Sequence, residues 1–290
     1  MKCVAIIDKP AGWTSHDVVA KLRVALKVKR VGHSGTLDPM ATGVLPVFIG
    51  GATKAVELFE GADKEYIAGL RLGLVTDTQD ITGTALRECE ASVSAEELSQ
   101  VLSCFIGAQK QIPPMFSAIK IGGKKLYELA RQGVVVERPA RDIFIAGIEL
   151  LEGGGNEFLL KVNCSKGTYI RTLCHDIGAM IGCGGTMSSL RRTRAGAFAI
   201  DMAHKLDDVL GAAASGSIDS VVVPIDSVFS EYQAVTLGDA DTRRCINGAP
   251  CYIQGSPDGV FRFYGPDKEF LLLGEIKGGE LSVIKSFYGS

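Results

Sequence analysis

Blocks of apolar and polar positions along the chain predict both strands and helices. Residues 3–7 are uniformly apolar and read as a short buried strand, ended by the turn Asp8-Lys9-Pro10-Ala11-Gly12. Ser15 stands where a helix cap is expected, and the helix runs to about residue 29 with Val18, Val19, Leu22 and Leu26 on one face. Residues 44–49 form a second apolar strand, whereas Tyr66, Ala68, Leu70 and Leu72 alternate with more polar neighbours as a half-buried strand does. Ser94-Ala95-Glu96-Glu97 is a capping box that opens a helix to about residue 102. The adjacent prolines Pro113-Pro114 keep 112–120 extended. Residues 124–131 are helical, with Gly133 as the stop. Strands at about 141–151 and 157–163 flank the turn Gly153-Gly154-Gly155, and 168–181 is an amphipathic helix closed by Gly182.

The texture changes towards the C-terminus. Residues 211–217 have the composition of a flexible linker or of a helix end. Beyond about residue 231 short strands at 249–253, 259–264, 269–275 and 280–285 alternate with Gly/Pro/Asp turns, as in a small β domain.

Composition narrows the class. A chain of 290 residues, 46% hydrophobic and 22% charged, is an ordinary globular protein large enough for a substantial core. No apolar run approaches a membrane span, and the first seven residues are too short for an export signal. The eight cysteines form no CxxC pair and read as reduced, mostly buried thiols of a cytosolic protein; the four histidines form no HxxxH pair, so no metal site is expected. The net charge of −2 argues against a nucleic-acid partner, but its distribution argues for one. Residues 1–60 hold eight Lys/Arg against five Asp/Glu, 110–145 seven against three, and 161–194 six against one. If these three segments converge they form a face able to hold phosphates.

The most suggestive chemistry lies in Gly32-His33-Ser34-Gly35-Thr36-Leu37-Asp38-Pro39-Met40-Ala41-Thr42-Gly43. Pro39 pushes Asp38 out of the helical region, and glycines permit close backbone approach. By residue type alone Asp38 is a nucleophile, a metal ligand or an ordinary turn former. Tyr66, within Lys64-Glu65-Tyr66, is by itself a strand tyrosine. Arg171, in Cys164-Ser165-Lys166-Gly167-Thr168-Tyr169-Ile170-Arg171, falls near a helix N-terminus, where a cation is disfavoured unless it has another partner or a surface salt bridge. Leu190-Arg191-Arg192-Thr193-Arg194 is a basic cluster beside an apolar anchor, and its ordinary reading is a solvated charged face.

Together with Asp8-Lys9-Pro10-Ala11-Gly12 and Pro113-Pro114-Met115-Phe116-Ser117-Ala118-Ile119-Lys120, these motifs stand in the order and spacing of one family. The chain resembles the bacterial tRNA pseudouridine-55 synthases, the TruB family. The resemblance implies an α+β pseudouridine synthase fold: a mixed, largely antiparallel central sheet flanked by helices in residues 1–230, and a small β-rich PUA-like RNA-binding domain in 231–290. It also assigns 211–217 to the end of a helix.

The implied reaction detaches the uracil of uridine-55 in the T-arm of tRNA, rotates it and rejoins it through C5, with no cofactor. Asp38 matches the nucleophile, attacking ribose C1′ or adding to C6 of the ring; Arg171 matches its ionic partner, and Tyr66 the tyrosine that stacks on uracil and is placed for a role in proton transfer. Tyr169 and Leu190 match pocket walls. The target base must be flipped out of its stack, and His33 matches a residue supporting the disrupted RNA loop. Lys9, Lys120, Lys166, Arg191 and Arg192 are candidates for phosphate or fold-supporting contacts. The implied protein is a cytoplasmic monomer that needs no protein partner or guide RNA. Two rivals are the catalytic subunit of a guide-RNA-dependent pseudouridylation complex and a non-catalytic RNA-folding chaperone. A zinc-dependent base deaminase is excluded, since no HxE and PCxxC pair is present.

Overall fold

A computed structural model describes residues 1–289. Its main sheet follows the path His204–Lys205, Lys2–Lys9, Thr42–Gly50, Gly185–Ala195, Lys64–Leu72, Glu157–Cys164, Arg141–Gly154, Gly107–Gln111. Neighbours on this path are antiparallel, except that His204–Lys205 runs parallel to Lys2–Lys9 and Gly185–Ala195 runs parallel to Thr42–Gly50. This is the mixed, largely antiparallel sheet that the sequence led us to expect.

The apolar runs at the two N-terminal strands are continuous because both sheet faces are covered there. Ala5, Ile7, Leu45, Val47 and Ile49 point to one layer, shared with Val18 and Leu22, Leu98 and Leu102, Leu173 and Ile177, and Leu206 and Val209. These come from the helices Ser15–Leu26, Ala95–Ser103, Ile170–Ile181 and Leu206–Ser215. Val4, Ile6, Val44 and Phe48 point to the other layer, with Phe59, Phe198 and Phe229. Residues 211–215 lie in the helix Leu206–Ser215, which ends at the left-handed Gly216, so the linker alternative is set aside.

Several boundaries differ from expectation. Thr14 rather than Ser15 caps the first helix, in a capping box with Asp17, and Lys27 in the left-handed region ends it early. The helix expected from residue 168 starts at Ile170, and that expected at 124–131 is the shorter Leu126–Ala130. The basic cluster at 190–194 lies inside the central strand Gly185–Ala195, with Leu190 and Arg192 buried and Arg191 and Arg194 partly exposed.

At the C-terminus Gln233–Thr236, Gly259–Tyr264, Phe270–Lys277, Glu280–Ser286 and Cys251–Tyr252 form a separate five-stranded sheet around Phe263, Leu272 and Ile276. It includes a helix that the sequence reading missed, Asp239–Ile246. Phe270, Leu273 and Phe287 dock this sheet on the second layer of the main sheet, and Lys2 pairs with Glu269 at 3.1 Å. All eight cysteines are free; Cys3, Cys164, Cys174, Cys245 and Cys251 are buried. Among the described residues no helix is long and apolar enough to cross a membrane.

Candidate active site

Residues 34–41 join the short strand Val31–His33 to the central strand Thr42–Gly50 and carry Asp38. Backbone and side-chain bonds hold this loop from both sides. Leu37 N donates to Ser15 Oγ at 2.9 Å, and Gly12 N donates to the Pro39 carbonyl at 2.8 Å. Lys9 Nζ donates to the carbonyls of Trp13 (2.6 Å), Pro10 (3.0 Å) and Pro39 (3.3 Å). From the other side Arg192 Nη2 donates to the Gly35 carbonyl and Nε to the Val44 carbonyl, both at 2.7 Å. Gly43 has φ +99°, and a Cβ there would run into the backbone carbonyl of Arg192. Only glycine lets the loop re-enter the sheet at this point.

Lys9 is fully buried and Arg192 is 1% exposed. Neither can touch a phosphate; of the two roles considered for them, the structure places both in support of the loop. Burial foremost depresses the Lys9 ammonium to about 8, with the Asp38 charge opposing that shift. Water cannot solvate these cations, so loop carbonyls do.

Arg171 lies in the first turn of the helix Ile170–Ile181 and is 6% exposed. Its Nη2 stands 3.3 Å from Asp38 Oδ1 and donates to the Phe116 carbonyl at 2.7 Å; its Nη1 lies 3.7 Å from Asp80 Oδ2. These partners explain a cation at the positive end of a helix. Asp80, which the sequence reading did not single out, is fixed by Thr78 Oγ1 at 3.0 Å and by Thr82 N at 2.9 Å and Oγ1 at 2.5 Å. Its segment, Asp77-Thr78-Gln79-Asp80-Ile81-Thr82-Gly83, carries only ordinary turn signals. Asp38 keeps a third of its side chain open to solvent. Burial raises its carboxyl above the usual range, Arg171 and Lys9 pull it back, and Asp80 adds to the rise.

Tyr66 lies opposite Arg192, and Leu190 opposite Ala68, across the strands Lys64–Leu72 and Gly185–Ala195. Both Tyr66 and Leu190 are buried in the first layer. Burial raises the Tyr66 phenol, with the Arg192 guanidinium opposing the rise. Tyr169 is tied through its backbone to Gln111, donating to Oε1 at 2.8 Å and accepting from Nε2 at 3.1 Å. The Arg171 guanidinium lies 5.8 Å from the Tyr169 ring centre. Gln111, also missed from sequence, thereby takes the place of a side-chain helix cap.

His33 sits in the short strand before the loop, edge-on to His16 with ring centres 5.2 Å apart. Burial foremost holds its imidazole at about 4, so it is neutral at pH 7. Arg191 is half-exposed and grips Asp8 through two bonds of 2.8 and 3.2 Å. Lys120 and Lys166 are exposed. Surface clefts of about 550 and 380 Å³ touch the chain before and after the loop, at Gly32 and at Thr42. Lys29, Arg30, Lys54 and Lys285 line the first, and Arg191 and Lys205 the second. Among the described residues no group of three or more His, Cys, Asp or Glu is placed to hold a metal ion.

A family model described as TruB family pseudouridylate synthase (N terminal domain) matches residues 23–170, and one for the tRNA pseudouridylate synthase B C-terminal domain matches 171–230. The tRNA pseudouridine synthase B of Alkaliphilus oremlandii (strain OhILAs) is 43% identical over 283 residues, covering 96% of this chain and 94% of that protein. The chain belongs to the TruB family. The tRNA pseudouridine synthase B of Clostridium tetani (strain Massachusetts / E88) is 42% identical over 98% of this chain and 99% of its own length. Among solved structures, an H/ACA ribonucleoprotein bound to a substrate RNA containing 2′-deoxyuridine matches with a TM-score of 0.75 and 27% identity, over 98% of this chain and 84% of that one. The fold is thus the pseudouridine synthase fold of the TruB family. The join between the two family models, at 170/171, falls inside the helix that carries Arg171, so the Asp38–Arg171 pair is built from both matched segments.

Proposed function

We propose that the chain is a tRNA pseudouridine synthase that isomerises uridine-55 in the T-arm, with Asp38 as the nucleophile. The observation that carries this reading is the buried Arg171 held against Asp38 on a loop that carbonyl-bound cations fasten from both sides. A carboxylate nucleophile has to be ionised in a site poor in water, and a fixed guanidinium offsets the penalty of burial. The relatives named tRNA pseudouridine synthase B support tRNA as the substrate.

The target base, flipped out of the T-loop, stacks on Tyr66 between the walls formed by Tyr169 and Leu190. Asp38 attacks C1′ or adds to C6; after rotation, C5 bonds to C1′ and the C5 proton leaves. His33 supports the opened loop, while Arg191, Lys120 and Lys166 contact phosphates. Residues 1–230 supply the catalytic unit and 231–290 a PUA-like RNA-binding unit. The protein acts in the cytoplasm as a monomer, without cofactor, protein partner or guide RNA.

Tritium release from tRNA labelled at uracil C5 tests this reading. The wild type alone releases tritium, and Asp38→Asn slows release on the order of 10⁴-fold or more while tRNA binding persists. Equal release by both proteins removes Asp38 from the mechanism. A strict need for guide RNA and added proteins instead favours the reading suggested by the H/ACA neighbour.

A further inference from the structure

The turn at 77–83, which carries Asp80, is wedged between the helix Ile170–Ile181 and the strand Gly185–Ala195. Further along, these two elements meet backbone to backbone, since a Cβ on Gly178 would strike Gly184 and Gly185. The strand holds the turn by its main chain. Met187 N donates to the Gln79 carbonyl at 3.1 Å, and Ile81 N donates to the Met187 carbonyl at 2.9 Å. The Thr76 hydroxyl donates to the Asp80 carbonyl at 2.8 Å and lies 3.0 Å from the Thr186 hydroxyl.

The helix side is held by side chains. Arg171 Nη1 stands 3.7 Å from Asp80 Oδ2, an ion pair longer than a hydrogen bond. Beside it the Thr172 hydroxyl, on a residue only 3% exposed, donates to Gln79 Oε1 at 2.7 Å. Among the described residues this is the one hydrogen bond between turn and helix.

The backbone of Gln79 points the same way. Its φ is +64°, in the left-handed region, where a residue with a Cβ is strained. Among the described residues two other non-glycine residues share that region: Lys27, which ends a helix, and Lys268, in a turn closed on the Gly265 carbonyl. Glycine would take this backbone without strain but carries no acceptor, and asparagine is one methylene shorter. Strain of this kind persists where the surroundings over-determine the residue, and here Thr172 and Met187 do so.

We propose that Gln79 and Thr172 are a positioning pair for Arg171. Their bond sets the register of the Asp80 turn on the helix, and with it the place at which Asp80 confines the guanidinium beside Asp38. Neither residue touches the substrate; both act through the Asp80–Arg171 contact. This rests on the isomerase reading given above and holds whichever carbon Asp38 attacks.

The test measures pseudouridine formation in a T-arm RNA under single-turnover conditions, with RNA affinity by filter binding. Thr172→Val keeps the shape and removes the donor; it is expected to slow conversion about tenfold, with affinity unchanged to within about twofold. Thr172→Ser restores the hydroxyl and is expected to recover the rate to within about threefold of wild type. Added to Asp80→Asn, Thr172→Val is expected to slow conversion by less than about a further twofold, because the contact it serves is already gone. A Thr172→Val protein as fast as wild type overturns the proposal. So does a loss confined to RNA affinity, a loss that serine does not recover, or one equally large in the Asp80→Asn protein. If Thr172→Val does not fold, Gln79→Met removes the same bond from the turn side and carries the same comparison. If the double variant with Asp80→Asn does not fold, Gln79→Met and Thr172→Val form the cycle instead: losses that do not add support the proposal, and full addition overturns it. Wild type runs alongside. No conversion by wild type defeats the isomerase reading itself, whereas conversion by wild type with any of the overturning results defeats only the role of the pair.

Discussion

Arg171 and Asp38 are 133 residues apart in sequence and 3.3 Å apart in space. The guanidinium also meets Asp80 at 3.7 Å, so one cation serves two carboxylates, only one of which lies open to a substrate. Asp80 is 4% exposed. It holds the arginine in place while its own charge makes Asp38 harder to ionise.

These two partners should move the pH profile in opposite directions. In the proposed mechanism Asp38 attacks as the carboxylate, so the rate should be lost as pH falls through its pKa. Arg171→Met removes the main influence lowering that pKa, and the acid limb shifts to higher pH, with a rate roughly 10²-fold lower on the plateau. Asp80→Asn removes an influence raising it, and the limb shifts to lower pH, while loss of the buried pair costs about 3 kcal/mol of stability. Single-turnover rates across pH and urea unfolding check both; superposable limbs would contradict this electrostatic account.

Asp38, the proposed nucleophile, is held at the expense of stability. Its folded-state carboxyl is raised, so the folded state favours the protonated form. That contribution is fully present below the ordinary carboxylate pKa and is lost as pH rises through the raised value, which leaves the ionised Asp38 a burden at pH 7. Asp38→Asn should therefore melt higher than wild type at pH 7, by about 2 °C, and this advantage should vanish as pH is lowered towards the ordinary value. Thermal melts across that range decide it. A lower melting point for the variant at pH 7 would count against the sign.

Two glycines separate backbone strain from close approach. Gly12 and Gly43 both have φ in the left-handed region, at +82° and +99°, but a Cβ on Gly12 meets nothing within 4 Å, whereas one on Gly43 strikes the Arg192 carbonyl. Gly12→Ala should cost about 1 kcal/mol, and Gly43→Ala about 3 kcal/mol or more. Urea midpoints on the two variants test this; equal losses would show that the strand contact at Gly43 gives way without strain.

RNA binding should weaken steeply with salt despite the acidic balance of the chain. Arg30, Lys120 and Lys166, one from each of the three basic segments, are all solvent-exposed. Affinity for the T-arm should fall at least about tenfold between 50 and 200 mM salt, as measured by filter binding. Salt-independent affinity would show that these segments do not form one surface.

The fold was legible wherever a side chain's own chemistry set its place. Thr42–Gly50 is apolar on both faces because it is covered on both, and Ser15–Leu26 shows its buried stripe of Val18, Val19 and Leu22. The helix Asp239–Ile246 was not legible: it is only eight residues long and Cys245 is its only buried residue, so it lacks the repeated apolar positions that mark a buried stripe. The candidates Asp38, Tyr66 and Arg171 came from motifs in register, and the structure brings Asp38 and Arg171 to within 3.3 Å of one another. For Lys9 and Arg192 the sequence left phosphate contact and fold support both open, because the main-chain carbonyls that hold them can come from any residue. Asp80 escaped for a related reason, as its partner belongs to a distant helix and its own segment reads as a turn.

The parallel pairing of Arg191 and Arg192 with Thr42 and Gly43 also has a consequence in time. During synthesis from the N-terminus, Asp38 emerges long before the residue that clamps its loop, with 148 residues separating Val44 from its Arg192 donor. Until strand Gly185–Ala195 inserts, the loop has no guanidinium on its far side and Tyr66 no partner across the sheet. A nascent chain therefore carries the proposed nucleophile but not its surroundings, and any truncation before Arg192 should leave a protein with Asp38 present and isomerase activity absent.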